Sequence, residues 1–512
     1  ESKSIYHKFY GYDPVTGQHV SPVYLGTKSD GSLTESEVLQ YRNTMNSLSG
    51  QSRSKSAFAS FYGALDYSYK DKYIANATLR SDGSNNFGSK QQFNYTWSAG
   101  LAWNIDEEEF MKSLKPIISR ATVRLSTGLT GGVNKSVYPQ IIMSYIGYRS
   151  TDIDTYRMGS ISNAPNPNLR WEHTRDYNAS LDLGLLNNRL NLMFSAYRRR
   201  GYDLVTSVSV VSTTGFSVQS YNTSEQINQG FELTVNATPL KLKDFSWSVT
   251  GNIAYNQNKL TKYEAPNNYA FSPTRLDYPL SSLFTGKYLG VDASNGLQNF
   301  ALRPGASISS SADKRNMYNY VYYIGTENAP WTGGFSTHAS YKNFSLSMSS
   351  TFALGAKKKY TVNNSFAYYG ALSGTRVNSV QSSMSDLYTA HLNKPKEAAN
   401  RWMSTNAITN GYPRLVDAYG PAISVDLDNV SATNITSGAE YCNAAYWKIG
   451  SISFMYSMPQ HVIGSWGLTN LGFSLTANNV LTVTKFKGLD PESPGAVYPI
   501  SRGFSFGVNV GF

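Results

Sequence analysis

The chain has 512 residues and a mean hydropathy of -0.36, and no stretch supplies the ~20 consecutive apolar residues of a membrane-spanning helix, which excludes a helical membrane protein. Its single cysteine, Cys442, excludes a disulfide framework within the chain. The net charge is +11, but Lys and Arg are scattered through turns and inward-facing strand positions without a long basic run, which suits solvated loops and a polar lumen better than a nucleic-acid surface.

Strand-like alternation recurs along the chain. It predicts strands at 54–69, 72–82, 93–106, 119–130, 170–185, 189–205, 226–239, 244–258, 333–342, 344–358, 442–457, 470–481 and 502–512. In the third, Tyr95, Trp97, Ala99, Leu101 and Trp103 oppose Asn94, Thr96, Ser98 and Asn104. In the fourth, Val123, Leu125, Thr127 and Leu129 oppose Arg120, Thr122, Arg124, Ser126 and Thr130. Phe245, Trp247, Val249, Ile253 and Tyr255 stand against Ser246, Ser248, Thr250, Asn252 and Asn256, and Phe344, Leu346, Met348, Phe352 and Leu354 against Ser345, Ser347, Ser349 and Thr351. A soluble β-sandwich also alternates, with its apolar face inside.

The connections separate the two architectures. Those at 70–71, 107–118, 186–188, 240–243, residue 343 and 458–469 are short; those at 83–92, 131–169, 206–225, 259–332, 359–441 and 482–501 are long. In a chain of thirteen antiparallel strands this order puts every short connection at one end of the sheet and every long one at the other. Short periplasmic turns and long extracellular loops mark an outer-membrane barrel. The final segment agrees: Phe504, Phe506, Val508, Val510 and Phe512 alternate with Ser505, Gly507, Asn509 and Gly511, and an aromatic residue ends the chain. The count of 38 Tyr against 23 Phe fits rings at a lipid–water boundary with a wet hydroxyl and a buried face. The fold expected is therefore all-β, a transmembrane antiparallel barrel with extracellular long loops and a periplasmic C-terminus.

An ordered set of segments carries a family resemblance. KYIANATLRSDGSNNFG (72–88), AGLAWNIDEEEF (99–110), RATVRLSTGLTGG (120–132) and NPNLRWEHTRDYNASLDLGLLNNRLNLMFSAYRRRGYDLV (166–205) are followed by NQGFELTVNATPL (228–240). APWTGGFSTHASYKNFSLSMSSTFALG (329–355), AAYWKIGSISFMYSMP (444–459) and ANNVLTVTKFKGLDPE (477–492) complete it. From about residue 54 to 512 this succession is similar to the SusC/RagA family of TonB-dependent importers. The resemblance implies a barrel of about 22 strands, of which this chain would be the C-terminal portion with thirteen. Residues 1–53 would then be an extracellular loop and entry to the barrel, and 54–512 the barrel wall. The plug and TonB box would lie outside this chain, which starts at Glu1 and is expected to be a processed product or a piece of something longer. Implied partners are the N-terminal plug and barrel part, TonB through that part, a SusD-like surface lipoprotein, the bilayer, and an oligosaccharide or oligopeptide cargo. Two other readings of the same strands are a self-contained passive porin and a surface adhesin barrel.

Motifs for chemistry are missing from the sequence. His7, His19, His173, His338, His391 and His461 share no metal-ligand spacing with one another or with Cys442. No nucleophile elbow, Walker loop or dinucleotide fingerprint occurs, so neither catalysis nor a cofactor is expected. DGSNNFG (82–88) lacks the closing Glu of a calcium loop and reads as a hairpin turn; GLDPE (488–492) reads as a structural turn whose Asp490 and Glu492 could touch cargo. Binding belongs in the long loops. Loop 259–332 offers Tyr263, Tyr269, Tyr278, Tyr288 and Trp331, and loop 359–441 offers Tyr368, Tyr369, Trp402 and Tyr412. Trp331, Trp402, Tyr288 and Tyr412 are the candidate ligand contacts, since aromatic rings stack on sugar faces and hold peptide backbone. The bland role for each is packing of loop against loop or lid.

Overall fold

The computed structural model describes residues 2–7, 49–54, 57–85, 92–132, 139–150, 155–264, 274–291, 298–307, 319–359, 402–405, 441–496 and 498–512, with a few isolated positions between them. One thirteen-stranded antiparallel sheet dominates, and its spatial order is the order along the chain. Its strands are β1 (Phe58–Tyr69), β2 (Tyr73–Ser84), β3 (Phe93–Asn104), β4 (Ile118–Gly132), β5 (Glu172–Leu185), β6 (Leu190–Ser209) and β7 (Val218–Lys241). They continue as β8 (Phe245–Lys262), β9 (Trp331–Tyr341), β10 (Phe344–Leu354), β11 (Tyr446–Ser457), β12 (Asn470–Thr484) and β13 (Gly503–Gly511). All thirteen expected strands are present. The shortest, β13, has 9 residues, enough for a tilted transmembrane strand, which needs about 9–11.

Some boundaries differ from the pattern in the sequence. β6 and β7 run on to Ser209 and back from Val218, so their connection shrinks to 210–217. At ~3.3 Å per residue the 24 residues of β7 span about 80 Å, far more than a ~30 Å hydrocarbon layer. Its far part packs against 165–170, where Asn166 bonds the Ser220 carbonyl and the Arg170 amide bonds Asn222, and it loses the alternation that marks the rest. Several loop segments also pair: Ile142–Ser150 with Thr155–Asn163, Ser282–Gly286 with Val321–Thr326, Tyr288–Val291 with Gln298–Phe300, and Lys357–Lys359 with Tyr441–Asn443. Within 1–53, expected as loop, Ser2–His7 pairs with a strand starting at Ser49.

At one end of the sheet the turns are tight. Lys70 and Asp71 (φ 54° and 56°) and Leu186, Asn187 and Asn188 (52° to 59°) adopt left-handed conformations. Consecutive left-handed residues give a hairpin twist that suits the flanking strands. Two longer connections at this end, 105–117 and 458–469, coil into short helical turns, the second closed by the fully buried Ile463.

Residues directly opposite across strands share a face. One face can be followed by register from Leu101 to Leu125, Ala179, Ala196, Phe231, Tyr255, Trp331 and Leu354. The row one residue over runs Gly100, Ser126, Asn178, Tyr197, Gly230, Asn256. The apolar face is left uncovered: Leu101 is 63% and Phe506 69% exposed. A soluble sheet hides such a face; here it stands open along thirteen strands, and a small cluster of buried residues among those described (Ala356, Ala444, Phe486) forms beyond it. Rings gather towards both ends of the apolar face, Tyr73 with Trp103 and Phe344 with Tyr456 near the tight turns, Phe231, Tyr255 and Trp331 towards the long connections. Two aromatic girdles bounding an aliphatic band characterise membrane barrels.

Candidate functional site

The polar face is a wall of cross-strand hydrogen bonds. Thr78 meets Ser98 at 2.6 Å, Tyr197 donates to Asn256 at 3.0 Å, Asn258 to Asn228 at 2.8 Å, and Ser349 meets Ser451 at 2.8 Å. Alternation places a hydroxyl or amide at nearly every second residue, so the groups find one another wherever the register sets them opposite. Charge on this face is balanced locally. Arg199 holds Asp176 at 2.8 Å, Arg80 holds Asp82 at 2.7 Å, and Asp182 takes the guanidinium groups of Arg124 and Arg120. Asp176 Oδ1 and Asp182 Oδ1 are nonetheless buried without a hydrogen-bond partner.

Two clusters stand towards the long connections. In the first, the 485–496 segment folds back onto β11. Lys448 reaches both Glu492 and Asp490, Tyr446 donates to Glu492 at 2.9 Å, and Lys358 Nζ donates to the Pro491 carbonyl at 2.8 Å. Asp490 Oδ1 also accepts from the Glu492 amide at 2.7 Å. Burial pushes the Glu492 carboxyl up, but Lys448 and Tyr446 outweigh it and hold the group below its ordinary range. Both carboxylates of GLDPE thus serve the turn. In the second cluster, His173 Nε2 lies 2.8 Å from Asn94 Oδ1, its ring stacks on Tyr202, and its Nδ1 is 3.4 Å from Asp203, which Arg170 also grips. The sequence showed His173 as isolated; a register shift between Gly201 and Leu204 in β6 brings Asp203, with φ 55°, to it. Asp82 is held by Ser60 and Arg80, as a hairpin wall residue, and no cluster of metal-ligating residues occurs among the described residues.

The four aromatic candidates do not converge. Trp331 opens β9 and packs on the apolar face, its ring 4.7 Å from Tyr255 and 5.7 Å from Phe231. Trp402 donates its indole N–H to the Ala293 carbonyl at 3.0 Å, tying one long connection to the other. Tyr288 begins the short strand Tyr288–Val291, and Tyr412 lies outside the described residues. One expectation about charge is corrected. Arg175, Arg198 and Arg200 lie on the apolar face, not the polar one, since Tyr177 opposes Arg198 and Arg175 opposes Arg200 in the rows that carry Ala99 and Trp97.

An antiparallel sheet with one lipid-compatible face, one polar face, tight turns at one end and long connections at the other defines an outer-membrane β-barrel wall. Residues 6–381 match the family described as TonB dependent receptor-like, beta-barrel, and the chain belongs to that family, to its SusC/RagA type. It is 27% identical to the TonB-dependent receptor SusC of Bacteroides thetaiotaomicron, over 96% of this chain and 46% of that protein. It is 26% identical to the TonB-dependent receptor P3 of Formosa agariphila, over 88% of this chain and 45% of that protein. Among solved structures, the RagAB peptide transporter aligns with a TM-score of 0.71 and 26% identity, covering 91% of this chain and 48% of that one. The chain spans about half the length of the curated relatives it matches.

Proposed function

We propose that this chain is the wall of a TonB-dependent importer that carries oligomeric polar nutrients, oligosaccharides or oligopeptides, across the outer membrane. The observation that carries the reading is the two-faced sheet: an uninterrupted polar wall backed by an uncovered apolar one. In this reading the apolar face meets lipid and the polar face lines the lumen. The long connections stand outside the cell, where a SusD-like lipoprotein covers them as a lid. The polar wall encloses a plug supplied by the rest of the protein, and that plug couples to TonB. The structural neighbour RagAB is a peptide transporter, which makes peptides the first cargo to try here.

The test is uptake by cells expressing the whole protein with its lid partner, supplied with defined mixtures of fluorescent oligopeptides and oligosaccharides. Accumulation that requires TonB and disappears on deleting the gene supports the reading. Size-limited diffusion that persists without TonB would instead make the barrel a passive porin.

A further inference from the structure

On the apolar face of β2 to β6 the side chains become small. Ala75, Ala99, Ala179 and Ala196 line an almost wholly apolar groove of about 710 Å³, bordered by Leu101 and Leu125. Its end towards the long connections is closed by Tyr177 and Arg198. One step further along the strands, Arg175 and Arg200 stand directly opposite each other. Like charges in that position destabilise a sheet. Arg200 is paired with Glu225 at 2.6 Å. No carboxylate among the described residues pairs with Arg175 or Arg198; the Arg175 guanidinium lies over the rings of Trp97 (4.3 Å) and Tyr177 (5.3 Å), and its Nε is buried with no hydrogen-bond partner.

Three guanidinium groups with one carboxylate leave two positive charges at the edge of an apolar band. A lipid-facing arginine is costly at the bilayer midplane and tolerated at the interface, where it meets headgroups. Guanidinium forks match phosphate oxygens bidentately. A soluble anion would use the arginines and leave the groove empty; an amphiphile with a phosphate above an acyl chain fills both. We propose that this groove and its arginines form a binding site for a phosphate-bearing lipid of the outer leaflet, with the headgroup on Arg175 and Arg198 and one chain along Ala179 and Ala196. The proposal rests on the reading that the apolar face meets lipid and that the long connections lie outside.

The test uses the whole transporter, purified and delipidated in a neutral detergent. Monophosphoryl lipid A is titrated in and counted by native mass spectrometry, beside its dephosphorylated form and with inorganic phosphate as competitor. The expected result is a saturable adduct weakened about tenfold or more by R175Q/R198Q and by loss of the lipid phosphate, since either change removes the charge-assisted hydrogen bonds between guanidinium and phosphate. Ala196→Phe, which fills the groove, weakens it too, and millimolar inorganic phosphate leaves it in place. Equal adducts in R175Q/R198Q, equal binding of the dephosphorylated form, indifference to Ala196→Phe, or full displacement by inorganic phosphate would each overturn the site. A fluorophore at Leu125 should be quenched by brominated lipid and one at Ser126 should not. If that pattern holds while lipid A shows no phosphate preference, this proposal alone fails; if it reverses, the assignment of faces fails.

Discussion

Tyr73 and Trp103 stand opposite each other across β2 and β3 with their rings 6.5 Å apart, and both donate to the same carboxylate, Glu108, at 2.6 and 3.2 Å. Lys72 adds a third contact at 3.0 Å. The helical turns of 105–117 are thereby stapled to the aromatic girdle beside them, which ties a connection to the strands it joins.

These donors, the Tyr73 hydroxyl first, hold the Glu108 pKa at about 2 instead of 4.5. A carboxyl whose folded-state pKa is depressed contributes stability above its unfolded pKa, and that stability fades as pH falls through the folded one. The contribution should be complete above about pH 4.5 and gone near pH 2. Glu108→Gln should therefore lower resistance to urea at pH 7 and converge on the parent as pH approaches 2. A difference between the two proteins that stays constant from pH 7 to pH 2 would remove Glu108 from this role.

The faces of the sheet make a second prediction. Leu233 in mid-β7 lies between Phe194 and Ile253 on the apolar face, and its neighbour Thr234 points to the polar one. For the complete barrel in bilayers, Leu233→Arg should cost about 2–4 kcal/mol, the range for arginine near the midplane, and Thr234→Arg much less. Equilibrium unfolding in lipid vesicles measures both. Equal penalties would mean that neither face is lipid.

Most of the sheet was legible because a membrane wall keeps a strict period of two: where water and lipid act on opposite faces, every second residue declares its side. The pattern failed where that contrast ends. Thr206–Ser209 and Val218–Asn222 extend β6 and β7 into a region polar on both sides, so strand and loop look alike in sequence. Length parity of the connections weakened for the same reason: 210–217 is shorter than 105–117 at the opposite end. Trp331 falls in the expected loop 259–332, but its backbone opens β9 and its side chain continues the aromatic girdle. The run Arg198–Arg200 held the signal that was missed. Alternation sends Arg199 to Asp176 on the polar face and leaves Arg198 and Arg200 on the apolar one. The His173 cluster was not readable at all, since it depends on a register shift that no local pattern announces.

Orientation gives a third prediction. The connection 210–217 is on the same side of the sheet as 263–330, and 242–244 is on the opposite side. An epitope inserted after Thr214 should be labelled on intact cells, whereas one after Lys243 should be reached only once the outer membrane is permeabilised. Opposite labelling would invert the barrel and, with it, the place of the arginine row.

The edges of the sheet give the fourth. Among the described residues β1 bonds only to β2 and β13 only to β12, so one side of each strand offers backbone N–H and C=O groups with no strand beside them. In hydrocarbon each such group costs several kcal/mol, and open edges do not persist there. Closure of β1 on β13 would give a thirteen-stranded barrel; insertion of further strands gives the larger barrel expected of a chain about twice this length, as in the curated relatives. The second outcome is expected. In the whole protein, a cysteine at Phe506 should form a disulfide with cysteines scanned through the segment before residue 1, and none with cysteines at Phe61 or Leu65. Since Phe506 and Leu65 belong to the two edge strands, an efficient cross-link between them would instead show the chain closing on itself. A barrel that size has no room for the plug on which TonB-driven import depends, and the passive-porin reading would take its place.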